Sequence, residues 1–525
     1  MTRVCVVIPT VGRPSLPALL TRLDLATGPR AAEVIVVDDR TGARPLDLAD
    51  HDVRVLRSHG RGPAAARNIG WRHARSEWVA FLDDDVLPDL DWWKALAADL
   101  ADLPADVAGS QGILRVPLPA DRPPTDWERG TAGLATARWI TADMAYRRDA
   151  LAAVGGFDER FLRAFREDAD LALRVQRHHR LVQGGRRSIH PVRPVNRWVS
   201  IRQQAGNADD MLMRRLHGPD WRRLAGAADG RRRRHAAITA ALVAALGCAV
   251  LRRPPAAAVA ALVGAAGIGE LLSARLRPGP RTRDEITTMV MTSLLLPVVA
   301  TWHSVRGMVR HRGAQPWRGL PDLVLFDRDG TLVVDVPYNG DPERVELMPH
   351  ARETCDRLRD AGVRLGVVSN QSGIARGLLT SGNVAAVNAR IAELLGEFGT
   401  FQVCPHGPSD GCACRKPAPG MVSLACELLD VRPERCVVIG DIGSDVDAAL
   451  SAGATALLVP TAQTRAEEVA AAPRTVRDLR EAADVVLGAA WWSRSSVPAR
   501  RLVTRGRVPP GRPGSRVTGV AGAAP

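Results

Sequence analysis

Twice along this 525-residue chain, short β-branched and aliphatic runs alternate with helical stretches, and that alternation narrows the fold more than any other feature. In residues 1 to about 225 the runs 4–8, 33–37, 53–56 and Trp78–Leu82 read as strands, with helices near 15–26, 63–75 and 89–101. Residues 322–460 repeat the pattern with strands Leu323–Phe326, 364–369, 436–439 and 456–459. Such alternation builds a parallel sheet covered by helices, so the expected fold class is α/β with two domains. No fixed-period repeat competes with that reading.

The composition changes between the two. Arginines at 231–234 open a segment of three apolar runs, 236–251, 256–269 and 286–302. Each falls short of the ~20 residues of a spanning helix, and the first two are largely Ala. Two readings stand: a helical linker packed on a domain, or membrane contact through a hairpin or interfacial helices. Arginines flank every run, so charge assigns no orientation. If both domains use cytosolic substrates, the number of crossings is even. From 493 onward there are seven arginines and no acid, in Pro/Gly-rich sequence that is expected to be disordered. The expected domains are 1–228, a connector at 229–318, 319–490, and a basic tail at 491–525.

Charge and cysteine usage limit the partners. The net charge is +14, yet only Lys94 and Lys416 are lysines. The excess fits phosphorylated ligands or lipid headgroups, and no helix–turn–helix, zinc-finger or stacking-aromatic pattern points to nucleic acid. Three of eight cysteines crowd into 404–414, which suits a reducing compartment with one metal site. The N-terminal apolar run is too short for a signal peptide. The expected location is the cytoplasm, at the inner membrane face if the connector touches lipid.

LVLFDRDGTL (323–332) carries the sharpest chemistry. A buried strand delivers Asp327 and Asp329 two residues apart, so both carboxylates lean to one side. Such a pair suits phosphoryl transfer, one group attacking phosphorus and the other protonating the leaving alkoxide. Ser369 and Asn370 follow another strand and can hold a phosphate. Lys416 offers a compact positive charge, and Asp441 can complete a Mg²⁺ site, with Asp445 close behind.

The ordered series DRDGT, SNQSGIARG, CRKPAPGM and GDIGSD resembles the haloacid dehalogenase superfamily of aspartate-nucleophile phosphatases. More narrowly it is similar to the D-glycero-D-manno-heptose 1,7-bisphosphate 7-phosphatases and the related histidinol-phosphate phosphatases. The resemblance implies Asp327 as nucleophile, Asp329 as general acid/base, and Ser369 and Lys416 on the phosphoryl group. It implies substrate contacts from Asp335, Tyr338, Asn370, Gln371, Ser372 and Arg415. Mg²⁺ would be held by Asp327, Asp441 and the backbone carbonyl of Asp329. Ile442 stands where the heptose phosphatases tend to carry Lys, so histidinol phosphate or another phosphomonoester stays open as substrate.

Cys404, His406, Cys412 and Cys414 supply four ligands within eleven residues, a Cys₃His set suited to structural zinc. The set resembles the zinc loop of the same phosphatases.

At the other end of the chain, strands finish at Pro9–Thr10, Asp38–Asp39 and Asp83–Asp84–Asp85. Asp83 and Asp85 share a face, as two carboxylates gripping a divalent ion must. With ARNIG, MAYRRDALAAVGGFDE and REDADL in order, these motifs resemble family 2 glycosyltransferases of the GT-A fold. The resemblance implies nucleotide contacts from Asp38 or Asp39 and from Arg67. Asp83 and Asp85 would hold Mg²⁺ or Mn²⁺ and the sugar diphosphate, with His190 as a further ligand. Asp168 would deprotonate the acceptor in an inverting transfer. Asp143 stands where Asn is more usual, so acceptor contacts are expected to differ.

The chain thus reads as a bifunctional carbohydrate enzyme, taking a sugar phosphate, a nucleotide-sugar donor and an unspecified acceptor. Membrane contact would run through 236–302. The competing reading makes the N-terminal half a non-catalytic tethering or acceptor-binding module.

Overall fold

The computed structural model describes residues 3–42 and 44–488; the basic tail expected at 491–525 lies outside them. The N-terminal sheet comprises β1 (Val4–Thr10), β2 (Glu33–Asp38), β3 (Arg54–Arg57), β4 (Trp78–Leu82), β5 (Leu87–Pro88), β6 (Val107–Arg115), β7 (Asp143–Arg147) and β8 (Arg180–Ile189). Their order is β3-β2-β1-β4-β7-β6-β8-β5. β1 to β4 pair parallel, as the alternation predicts. β7, however, runs antiparallel to both β4 and β6, and β5 antiparallel to β8, so this sheet is mixed rather than parallel. The antiparallel half is not legible in the sequence because VAGSQGILR and RLVQGGRRSI carry Gly, Ser, Gln and Arg where a buried strand signal needs aliphatics.

In β1, Val4, Val6 and Ile8 pack into one core cluster while Cys5 and Val7 pack into another. Two buried faces explain a continuous apolar run with no polar alternation.

The second sheet is β9 (Leu323–Phe326), β10 (Arg364–Asn370), β11 (Thr400–Cys404), β12 (Cys436–Gly440) and β13 (Thr455–Leu458). Its order is β11-β10-β9-β12-β13 with every pair parallel. The chain winds outward from β9 to one side and then from β12 to the other. The ends of β9 and β12 therefore flank the switch point where such sheets bind ligands. β1 and β4 stand in the same relation in the first sheet.

Three helices, Arg232–Val250, Pro254–Leu276 and Arg283–Arg310, join the sheets, and each is long and apolar enough to cross a membrane. The apolar runs alone suggest shorter segments. The 23 and 28 residues of the second and third helices include flanking Arg, Thr and Glu, which cost little within a helix.

The third helix is tied to the N-terminal domain at both ends. Near its start, Glu285 Oε1 accepts the Asp126 N–H at 2.8 Å. Arg275 donates to Asp126, Thr292 and Ser293 at 2.8–2.9 Å. Near its end, a Cβ on Gly307 would lie 2.6 Å from the Ala208 Cα, so only glycine permits that approach to helix Gly206–His217. The face turned away exposes Leu294, Leu295, Val298, Trp302, Val305 and Val309.

The two α/β domains also touch directly, with Arg72 donating to the Ala361 carbonyl at 3.4 Å.

Candidate active sites

In the C-terminal domain, Asp327 follows β9 and its carboxylate meets the Lys416 ammonium at 2.5 Å. Lys416 also reaches Asp445 at 2.6 Å and the Val368 carbonyl at 2.9 Å. Burial works against the ammonium, but the carboxylates of Asp327 and Asp445 outweigh it and hold its pKa above that of a free lysine. Burial raises the Asp327 carboxyl well above the ordinary range, and Asp445 adds to the rise.

Oxygens of Asp327, Asp441 and Asp445 all lie within 4.8 Å of one another. Burial, then the charge of Asp445, pushes Asp441 up to about 6. Three carboxylates against one ammonium leave an excess of negative charge that a divalent cation would balance, so the donor set fits Mg²⁺. Gly330 makes this convergence possible. It turns at φ +78°, and a Cβ there would lie 2.4 Å from an Asp441 oxygen.

The Asp329 carboxylate is aimed separately, accepting from Arg328 Nε at 3.0 Å and Gln371 Nε2 at 2.8 Å. A cleft of ≈ 300 Å³ opens above these groups, lined also by Asp335, Tyr338, Ser369, Asn370, Ser372 and Ile442. Arg415 does not join it; its guanidinium donates to the His406 carbonyl at 3.2 Å instead. Sequence reasoning assigns no role to Asp445, Arg328 or Arg376. Arg376 donates to the Tyr338 hydroxyl at 2.5 Å, and its place in SNQSGIARG is the signal that could have found it.

Beside this cleft, Cys404 Sγ lies 3.7 Å from Cys412 Sγ and 3.3 Å from Cys414 Sγ, with His406 Nδ1 3.3 Å from Cys414. Tetrahedral ligands on ~2.3 Å zinc–sulfur bonds stand about 3.8 Å apart, so the four atoms fit zinc.

In the N-terminal domain a cleft of ≈ 470 Å³ is lined by Asp39, Arg67, Asp83, Asp85, Asp168 and His190, among others. Asp38 is not there: it is buried and paired with Arg40 at 2.8 Å, which leaves Asp39 as the residue facing the cleft. Asp39 accepts from Ser58 at 2.7 Å and from the Gly62 N–H at 3.1 Å. Asp84 is held by Thr10 and Arg13 between its two neighbours. Asp85 meets Arg193 at 2.9 Å and His190 Nε2 at 3.6 Å. Arg67, buried, bonds Asp83 at 2.7 Å and Glu167 at 2.8 Å, so it organises carboxylates before it can reach any ligand. Burial, reinforced by Asp168, pushes Glu167 up to about 8 despite Arg67. Burial likewise raises Asp168.

Asp143 plays a different part from the one expected. It is buried and fully bonded to Arg186 at 2.6 Å, Trp92 Nε1 at 2.9 Å and Ser188 Oγ at 2.6 Å, and it does not line the cleft. Its carboxylate balances a wholly buried guanidinium. Asp143→Ala is expected to cost on the order of 3 kcal/mol in thermal or denaturant unfolding, because Arg186 loses its nearest counter-charge. A change below about 1 kcal/mol would contradict that role.

A Glycosyl transferase family 2 model matches residues 5–170, and a HAD-hydrolase-like model matches residues 413–482. Over 144 residues the chain is 39% identical to the D-glycero-beta-D-manno-heptose-1,7-bisphosphate 7-phosphatase of Pseudomonas putida, an alignment covering 26% of this chain and 82% of that protein. It is 34% identical over 148 residues to the Bordetella bronchiseptica protein of the same name, covering 27% of this chain and 83% of that one. A crystal structure of D,D-heptose 1,7-bisphosphate phosphatase from B. bronchiseptica, complexed with magnesium and phosphate, matches at 31% identity with TM-score 0.29, covering 32% of this chain and 98% of that one.

The molecule is therefore an enzyme that joins a GT-A family 2 glycosyltransferase domain to a haloacid dehalogenase-like sugar-phosphate phosphatase domain. Through the second domain the chain belongs to the family of D-glycero-D-manno-heptose-1,7-bisphosphate 7-phosphatases.

Proposed function

We propose that the C-terminal domain removes the 7-phosphate of a heptose 1,7-bisphosphate through a phosphoryl group carried on Asp327. The observation that carries this is the convergence of Asp327, Lys416 and Asp441 at one switch point. An Asp327 oxygen attacks phosphorus while Asp329, aimed by Arg328 and Gln371, protonates the leaving sugar oxygen. Asp329 then takes a proton from the water that releases phosphate and restores the Asp327 carboxylate. Lys416, fixed by Asp327 and Asp445, faces the charge that develops on the phosphoryl oxygens. Mg²⁺ held by Asp327, Asp441 and the backbone carbonyl of Asp329, with the Asp445 carboxylate close by, would neutralise charge on the transferring group. Tyr338, braced by Arg376, and Ser372 would meet the sugar, while zinc in the 404–414 loop would be structural.

In the N-terminal cleft, Asp83 and Asp85 would hold a divalent ion and the donor diphosphate, with His190 beside Asp85. Asp39 would meet the nucleotide, and Asp168 would deprotonate the acceptor hydroxyl for an inverting displacement. The domains proposed are 1–228, 229–318 and 319–490. The connector would seat the enzyme at a membrane, whose lipid would cover its exposed apolar faces. Helix Gly206–His217 carries Asp209, Asp210, Arg214 and Arg215, so the third connector helix packed on it would lie along the bilayer rather than through it. The first two helices, as a hairpin, would return the chain to its starting side.

The test is phosphate release from a panel of sugar phosphates and histidinol phosphate. Heptose 1,7-bisphosphate is expected to lead by at least about tenfold in kcat/KM, which is roughly 1.4 kcal/mol of transition-state preference. A preference for histidinol phosphate would replace the substrate while keeping the chemistry.

A further inference from the structure

The phosphatase cleft holds more acid than base before any substrate enters. Its walls carry Asp327, Asp329, Asp335 and Asp441 against the cations Arg328 and Lys416. Both cations are already engaged, Arg328 with Asp329 and Lys416 with Asp327 and Asp445. A divalent ion would balance the carboxylates around the transferring phosphoryl group, but neither cation is left for a second phosphate on the same sugar. Arg415 is turned to the His406 carbonyl, and Ile442 brings no charge to the wall. At the rim, where Tyr338 is exposed, stands Arg376. Its backbone N–H donates to the carbonyl of Ser372, a cleft residue, at 3.2 Å, and its guanidinium donates to the Tyr338 hydroxyl at 2.5 Å. The Tyr338 ring is itself placed by Gly373, where a Cβ would come within 2.8 Å of it. Two residues of the cleft wall therefore fix where the guanidinium sits. Among the described residues no carboxylate pairs with Arg376, so its Nε and Nη2 donors remain available.

We propose that Arg376 is a specificity residue, binding the phosphate of a sugar bisphosphate that is not transferred while Asp327 takes the other. This role rests on the phosphatase reading of the cleft and adds the group that makes it prefer a bisphosphate. A guanidinium presents paired N–H groups that match two phosphate oxygens. Asp335 would repel a second phosphate at an uncompensated rim, and Arg376 supplies the opposing charge. Tyr338 holds one Nη1 donor, so the fork stands in place before substrate arrives and less side-chain freedom is lost on binding. A residue that only braced Tyr338 would act on every sugar phosphate alike. A phosphate ligand acts on bisphosphates.

The experiment measures phosphate release by the full chain with Mg²⁺ from D-glycero-D-manno-heptose 1,7-bisphosphate and from the 7-phosphate of the same sugar. The parent is expected to prefer the bisphosphate by at least about tenfold in kcat/KM. Arg376→Gln should cut that preference at least about fivefold, chiefly through KM for the bisphosphate. Arg376→Lys, which keeps the charge without the fork, should fall between the two. A parent that turns over both substrates without distinguishing them overturns the role. So does a preference left intact in Arg376→Gln, or an equal loss on both substrates; in each case the parent's own turnover keeps the phosphatase reading. A parent that hydrolyses neither heptose phosphate overturns that reading, and the role with it.

Discussion

Asp327→Asn is expected to reduce phosphate release by about 10³-fold or more while leaving the protein folded. The amide has the size of the carboxylate and can still accept from Lys416, which keeps Asp445 as its second partner at 2.6 Å. What it loses is the anionic oxygen that attacks phosphorus, and no other group in the cleft is placed to replace it. Asp329 is already engaged by Arg328 and Gln371. Glycosyl transfer in the other domain should be unchanged, which makes it an internal control for folding. Retention of even a tenth of the phosphatase rate would mean that phosphorus is not captured on this residue.

The second large effect concerns the cysteine loop. Removing zinc by chelation, or replacing Cys404 by Ser, is expected to lower phosphatase kcat by at least about tenfold and to destabilise that domain. Structural zinc sites contribute apparent binding energies on the order of 10 kcal/mol to the ordered state. Here the ordered state includes the active site, since Cys404 ends β11 and Lys416 follows Cys414 by two residues. Arg415 ties back to the His406 carbonyl, so its contribution is to hold the loop rather than to touch substrate. Metal analysis should find one zinc per chain, and calorimetry a lowered transition for the phosphatase domain. A chain that carries no zinc, or loses none of its activity on losing it, would contradict the role.

Much of the phosphatase site is legible in the amino-acid sequence. A strand end fixes the direction of the residues that follow it, so DRDGT and GDIGSD announce converging carboxylates from local sequence. The Cys₃His cluster is readable for the same reason, all four residues lying within eleven. Asp445 stands in one of these motifs, yet its role is hidden there, because its pairing with Lys416 is made across the sheet. In the N-terminal cleft, neighbouring carboxylates look alike in sequence. Arg40 turns Asp38 inward and leaves Asp39 to the ligand side. Arg186 claims Asp143 in the same way. Neither partner can be named without the fold, since a guanidinium reaches its carboxylate through space.

Sequence by itself determined the two α/β domains and singled out the acidic, lysine and Cys₃His clusters of the second, because each rests on periodicity or on spacing within a few residues. Only the tertiary structure decided the mixed sheet, the internal use of Asp143 and the seat of the third apolar helix on the first domain. Those depend on which surfaces meet, and the pairing of Gly307 with Ala208, or of Arg275 with Asp126, is set by packing between segments that lie far apart in the chain.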